Sequence, residues 1–252
     1  MENVPIAFLF SFIAGVSTGI GSLTIFFIKD LKYRYLSIFM GFSAGVMIYV
    51  SFAELLFSSI HDIGFLYGNA AFFLGSLFIA LLDFTIPHEY EEEHRAKNGE
   101  GVKGLARTGL LVALGITIHN FPEGLITLFG TIKNLDLGFL LLIAVAMHNI
   151  PEGISVSFPI YYATRDRRKA FTWSFLSGLA EPVGGIIGFL ILSPFINAFL
   201  LSAVLAFVAG IMVFISFDEL LPLSLKYGEE HIAIASLFLG MIVIALSLLL
   251  LK

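Results

Sequence analysis

His119-Asn120-Phe121-Pro122-Glu123-Gly124 lies inside one long apolar run, and His148-Asn149-Ile150-Pro151-Glu152-Gly153 repeats it 29 residues later inside the next. Imidazole, carboxamide and carboxylate are costly in hydrocarbon, so such residues face a bundle interior and mark an ion or substrate path. The same grammar written twice points to one shared site. On a helix turning about 100° per residue, a His at the origin leaves the next Asn about 100° away and the Glu four positions on about 40° away. Each Glu therefore sits between the His face and the Asn face. It can give one oxygen to a metal on the His side and the other to a second metal on the Asn side, as a bridged two-metal site requires. Each Pro removes a backbone donor, so the carbonyls of Ile118 and Met147 are expected to lose their helical partners. Freed carbonyls are tolerated at membrane depth where they line a polar cavity.

The surrounding composition fits hydrocarbon. Of 252 residues, 58% are hydrophobic and 13% charged, against roughly 25% charged in a soluble domain, so this is an integral membrane protein. Its 24 Gly residues suit helices that must pack closely without a water-driven force between them. The absence of Cys removes disulfides, thiolate sites and the softest ligands for monovalent copper. Only Glu2 precedes the first apolar run, with no basic residue, so that run reads as a retained span and not a cleaved signal. No GxxxxGK[ST] phosphate loop occurs, which argues against ATP-driven pumping by this chain.

Runs of about 20 apolar residues fall near 5–28, 35–57, 66–86, 107–131, 137–160, 170–193, 197–220 and 231–251. They predict an all-α integral membrane fold of eight transmembrane helices, one transporter-like domain over 1–252. Lys29, Lys32 and Arg34 fall in the first loop, and Arg95, Lys97, Lys103 and Arg107 in or beside the third. Arg165, Arg167, Arg168 and Lys169 fall in the fifth loop, and Lys226 in the seventh. These are 12 of the 14 basic residues, all on one side, with Lys133 and Lys252 on the other. The positive-inside rule then puts both termini outside the cytoplasm and 87–106 in a cytoplasmic loop.

A second repeat links the ends of the chain. Residues 41–56, GFSAGVMIYVSFAELL, match 206–221, AFVAGIMVFISFDELL, with nine identities in sixteen positions. The first copy runs outward and the second inward, which relates helices 1–3 to helices 6–8 with opposite topology around the helix 4 and 5 pair, a 3+2+3 inverted-repeat bundle. Such repeats carry a substrate site near the midplane. His119, His148 and Glu181 each lie roughly 17 Å along their predicted helices, halfway across.

His119, Asn120, Glu123, His148, Asn149, Glu152 and Glu181 make a nitrogen and oxygen donor set suited to zinc, ferrous iron, manganese, cadmium or cobalt as cargo, with no bound cofactor. The carboxylates would repel one another unless a cation lay between them. Met47 reaches the same depth and adds a soft thioether, although Met in an apolar helix is usually packing, as its repeat partner Met212 is expected to be. Glu54 in helix 2 and Asp218 with Glu219 in helix 7 are candidate pathway carboxylates; residues near helix ends also simply reach interfacial water. His88, Glu89, Glu91, Glu92, Glu93 and His94 read as a solvated linker. Gly41/Gly45 and Gly184/Gly188 have the small-xxx-small spacing of close helix packing.

These residues resemble the ZIP (Zrt/Irt-like) divalent-metal transporters, bacterial members in particular, along essentially the whole chain. The resemblance is carried by HNFPEG at 119–124, HNIPEG at 148–153, SFPIYYATRDRRKAF, FLSGLAEP at 175–182, and the segments GVMIYVSFAELL and GIMVFISFDELL. It implies a binuclear site made by helices 4, 5 and 6. One metal would take His119, Glu123, His148 and Glu152 with Met47, and its neighbour Asn120, Glu123, Asn149, Glu152 and Glu181. It further implies zinc and ferrous iron import, a bacterial inner-membrane location, the lipid bilayer and divalent ions as partners, a homodimer as a further association, and no nucleic acid. Two rivals stand beside it. A membrane-embedded metalloenzyme would need an H-E-x-x-H order that the His-Asn-x-Pro-Glu pattern lacks. A proton or sodium transporter would leave the two His and two Asn residues without a role.

Overall fold

The computed structural model describes residues 3–27, 33–84, 117 and 120–251. Every regular element among them is helical. Seven helices are long and apolar enough to cross a bilayer, from Val4–Phe26 to Glu230–Leu250. We number the helical units in chain order. Helix α1 is Val4–Leu23; α2 runs Tyr33–Val50, continues through a π turn at Ser51–Leu56, and ends with Phe57–Ile63; α3 is Phe65–Asp83. Helix α4 is described over 120–133. Helix α5 is Leu135–Thr164, α6 joins Arg167–Gly178 to Ala180–Leu192, and α8 is Glu230–Leu251. Helix α7 runs Ala198–Ile215, through a second π turn at Ser216–Leu220, to Leu221–Tyr227. The first half of the expected 107–131 helix, His119, Ile118 and the 87–106 loop with its acidic and His residues lie outside the described residues, as do Lys29, Lys32 and Lys252.

Several helices run past their expected ends. Helix α2 continues to Ile63 instead of stopping near 57 because its late polar residues find partners within the protein. Ser59 Oγ donates to the Ser202 carbonyl at 2.8 Å, and Lys133 Nζ donates to Ser58 Oγ at 3.2 Å. Gly64, at φ 85°, then ends it. Helix α6 begins at Arg167 within what looked like a basic loop, since Asp166 caps it by accepting the Lys169 N–H at 3.1 Å. Its break at Leu179 lies just before Pro182, whose ring is incompatible with a normal turn against the Gly178 carbonyl. Helix α5, by contrast, stays helical straight through Pro151.

Packing divides the helices into neighbours. Helix α2 lies along α8 and α3 along α7, while α1 packs on α5 and α6. These contacts are close enough to exclude a side chain. A Cβ on Gly45 would meet the Leu237 carbonyl, and one on Gly210 the Phe72 carbonyl. Helices α4 and α6 meet in the same way, through Gly124 against the Glu181 backbone and Gly184 against that of Phe121. With no hydrophobic force between helices in lipid, such small-residue contacts and interhelical hydroxyl bonds hold the bundle together. Ser22 Oγ reaches Ser174 Oγ, and Ser224 Oγ donates to the Ser37 carbonyl at 2.7 Å.

Candidate metal site

The His-Asn-x-Pro-Glu-Gly grammar of α5 and its partner on α4 turns three donors onto one point. Glu123, His148 and Glu152 each present a ligand atom, all within 4.8 Å of one another and all buried. His148 Nε2 lies 3.2 Å from Glu123 Oε2. His148 stands near the middle of its 30-residue helix, about 20 Å from the end at Leu135 by helical rise.

Beside this cluster the two carboxamides are held by their amino groups. Asn120 Nδ2 donates to the Ser177 carbonyl at 3.1 Å. Asn149 Nδ2 donates to the Ala14 carbonyl at 2.9 Å and to Glu181 Oε1. Anchoring the nitrogens fixes which way the oxygens face. Asn120 Oδ1, Asn149 Oδ1, Glu123 Oε1, Glu152 Oε2, Glu181 Oε2 and His148 Nδ1 are all buried and have no hydrogen-bond partner among the described residues. Leaving a buried polar atom unsatisfied costs about 1–3 kcal/mol. Here the amide oxygens offer lone pairs and no proton, as the carboxyl oxygens do once ionised, and so does Nδ1 when Nε2–H donates to Glu123. A hydrogen-bond donor or a cation satisfies such a set.

The charges agree with that reading. Glu152 feels the charges of Glu123 and Glu219, and Glu181 those of Glu123 and Glu152. Glu123, Glu152 and Glu181 are all buried, and three carboxylates in one low-dielectric region are a strong demand for positive charge.

The remaining expected residues have different surroundings. Met47 is fully buried in the apolar core that also holds Ile126 and Ala144 of the ligand-bearing helices, and Met212 joins the same core, where its sulfur accepts from Ser51 Oγ at 3.7 Å. Glu54 is half-buried in the π turn of α2. Glu219, in the equivalent turn of α7, reaches Glu152 electrostatically. Its neighbour Asp218 does not join the cluster. It is exposed and lines a groove of about 500 Å³ among Phe52, Phe72, Phe73 and Phe217. Sequence reasoning missed the supports: the carbonyls of Ala14 and Ser177, and Ser43, whose hydroxyl donates to the His148 carbonyl at 3.0 Å. A Ser inside the Gly41–Gly45 segment was the one available signal for the last.

The ZIP zinc transporter model matches residues 85–248, a stretch that contains all the donors of this cluster. The chain is 48% identical over 277 residues to the zinc transporter ZupT of Clostridium perfringens, covering 99% of this chain and 97% of that protein. It is 47% identical over 268 residues to ZupT of Oceanobacillus iheyensis and 49% identical over 266 residues to ZupT of Chlorobium limicola, in both cases with full coverage of both chains. A family match over most of the sequence, and near-half identity from end to end, mean that the chain belongs to the ZIP zinc transporter family.

Proposed function

We propose that the chain carries zinc through the membrane into the cytoplasm by way of a two-ion site at mid-depth. The observation that carries the reading is the set of six buried donor atoms, gathered from α4, α5 and α6, that have no hydrogen-bond partner among the described residues. Glu123, His148 and Glu152, with His119, hold one ion, and Met47 is the candidate for a further soft ligand. Asn120, Asn149 and Glu181 hold the second, with Glu123 and Glu152 bridging. The relatives' printed names supply zinc as the first cargo, and the mixed nitrogen and oxygen set also suits ferrous iron, manganese, cadmium and cobalt. Glu219 receives the ion on its way to the cytoplasm and Glu54 guards the opposite mouth.

The eight-helix, inverted-repeat architecture is part of this reading, and paired packing supports it. Exchanging α2 with α7 and α3 with α8 turns the Gly45–Leu237 contact into Gly210–Phe72, and carries the π turn with Glu54 onto the one with Glu219. The same exchange carries Gly153–Thr18 onto Gly124–Glu181 and leaves Gly15 and Gly178 facing each other. That extends the repeat to α4 and α5, so the two hexapeptides become partners across one pseudo-twofold axis. Their donors then converge because the fold's own symmetry brings them together.

The test is uptake of radioactive zinc and iron into proteoliposomes holding the parent, Glu123→Ala or Glu152→Ala. Zinc accumulation by the parent and none above empty liposomes in either variant is expected. Equal uptake in all three would refute the assignment. Peptide cleavage or sodium flux in place of metal uptake would point to another function.

A further inference from the structure

Lys133 is set apart from the other basic residues. Twelve of the 14 fall in the loops assigned to the cytoplasm, while Lys133 ends α4 at the opposite side. Its ammonium is not left to water. Nζ lies 2.5 Å from Asp62 Oδ2 and 3.2 Å from Ser58 Oγ, both on the last turns of α2. The same Asp62 oxygen accepts from Ser202 Oγ of α7 at 2.8 Å, and His61 Nδ1 lies 3.6 Å from the other oxygen. Asp62 occupies a helix C-terminus, where the macrodipole disfavours an acid, so an opposing cation is what makes its position favourable. The side chains are only 18% and 33% exposed.

The network's place matters more than its strength. One partner belongs to the α4–α5 turn, whose two helices carry Glu123, His148 and Glu152; the others belong to α2 and α7. The ion pair thus ties the helix ends that carry the donors to helix ends that do not. We infer that Lys133 and Asp62 form an ionic latch that holds the α4–α5 turn against α2 and α7, closes the mouth above the donor cluster, and parts for each ion admitted. Lys133 is thus a positioning residue, not a ligand. The inference rests on the proposed function for its cargo and its sidedness.

An ion binds only the open fraction of molecules, so weakening the latch raises apparent affinity. Lys133→Gln and Asp62→Asn are each expected to lower the half-saturating external zinc concentration by about two- to fivefold, the scale of a partly screened pair. The double variant should match either single one, and Lys133→Asp combined with Asp62→Lys should return towards the parent value. A pair that merely supports the fold would lower protein level and maximal rate without that shift and without rescue by the swap. Half-saturation unchanged or raised in both single variants, or effects that multiply in the double, would overturn the latch. Absence of zinc uptake by the parent would instead refute the proposed function, and a second measurement still decides the latch then. Because the chain has no Cys, Thr131→Cys, at a buried position just inside Lys133, introduces a single thiol. A membrane-impermeant maleimide should modify it at least threefold faster when Asp62→Asn is added, and an unchanged rate counts against the latch.

Discussion

Glu152 is the residue on which the candidate site turns, since it is buried, lies in the three-donor cluster, and is exposed to two other carboxylate charges. Replacing it with Gln keeps its shape and one oxygen but removes the charge that a divalent ion needs, a loss on the scale of about 1.5–3 kcal/mol for a charged partner. We expect Glu152→Gln to lower zinc uptake at least about tenfold while the amount of protein in the membrane stays unchanged on an immunoblot. Metal ligands bind deprotonated, so protons compete with the ion. Uptake should therefore fall as external pH is lowered, with the half-saturating zinc concentration rising and the maximal rate recovered at high zinc; a rate climbing steadily into acid would indicate proton coupling instead. Glu123, His148 and Glu152 were legible in the sequence because each pairs with a copy of itself at helical spacing. Their supports were not. The bonds from Ser43 to the His148 carbonyl and from Asn149 to Ala14 join residues 105 and 135 positions apart, and nothing local announces either one.

Between residues and bundle lie the helix contacts, where glycine has a definite task. A Cβ at Gly45 or Gly210 would run into backbone carbonyl of the facing helix, which has no rotamer with which to give way. Gly64 is different, since nothing lies within 4 Å of a Cβ there and only its φ of 85° resists substitution. Overpacking typically costs about 1–3 kcal/mol, or about 2–12 °C in a chain of this size. Gly45→Val and Gly210→Val should each lower the Tm of detergent-purified protein by about that much, while Gly64→Ala tests backbone strain alone, worth about 1–3 kcal/mol at φ 85° and ψ 159°. If the two Val variants melt no earlier than the parent, the close approach is not needed. The small-xxx-small pattern at Gly41/Gly45 gave half of this contact, but not its partner at Leu237. Helix extents were misread at α2 because Ser58, Ser59 and Asp62 look like loop residues until Lys133 and Ser202 are known to face them. The two π turns were illegible for another reason. A single widened turn leaves the apolar pattern almost unchanged, and although Pro222 follows the turn of α7, α2 forms its own with no proline nearby.

At the scale of the whole molecule, the ends of the helices bear on how many times the chain crosses. Asn3, just before α1, donates to the Thr131 carbonyl at 3.4 Å, so α1 starts at the Lys133 end of the bundle. Ser37, early in α2, meets Ser224 and Gly228, which places the start of α8 at the opposite end of the bundle, and its 22 residues rise about 33 Å back towards the Lys133 end. Helix α3 leaves the Lys133 end after Gly64 and, with 19 residues, descends about 28 Å. The 14 described residues at 120–133 rise about 21 Å back towards that end. We propose that this stretch is part of an eighth crossing, which gives an even number of spans and two termini on one side. Seven spans would put them on opposite sides. The basic residues choose which side, since 12 of 14 lie away from Lys133, so both ends should be non-cytoplasmic. Alkaline phosphatase fused after Lys252 should be active in a bacterial host, green fluorescent protein at the same place should be dark, and an epitope tag ahead of Met1 should bind antibody in cells whose inner membrane is intact. A fluorescent C-terminal fusion together with a surface-accessible N-terminal tag would mean an odd number of crossings, and would undo both the pseudo-twofold axis and the pairing of the two hexapeptides that depends on it.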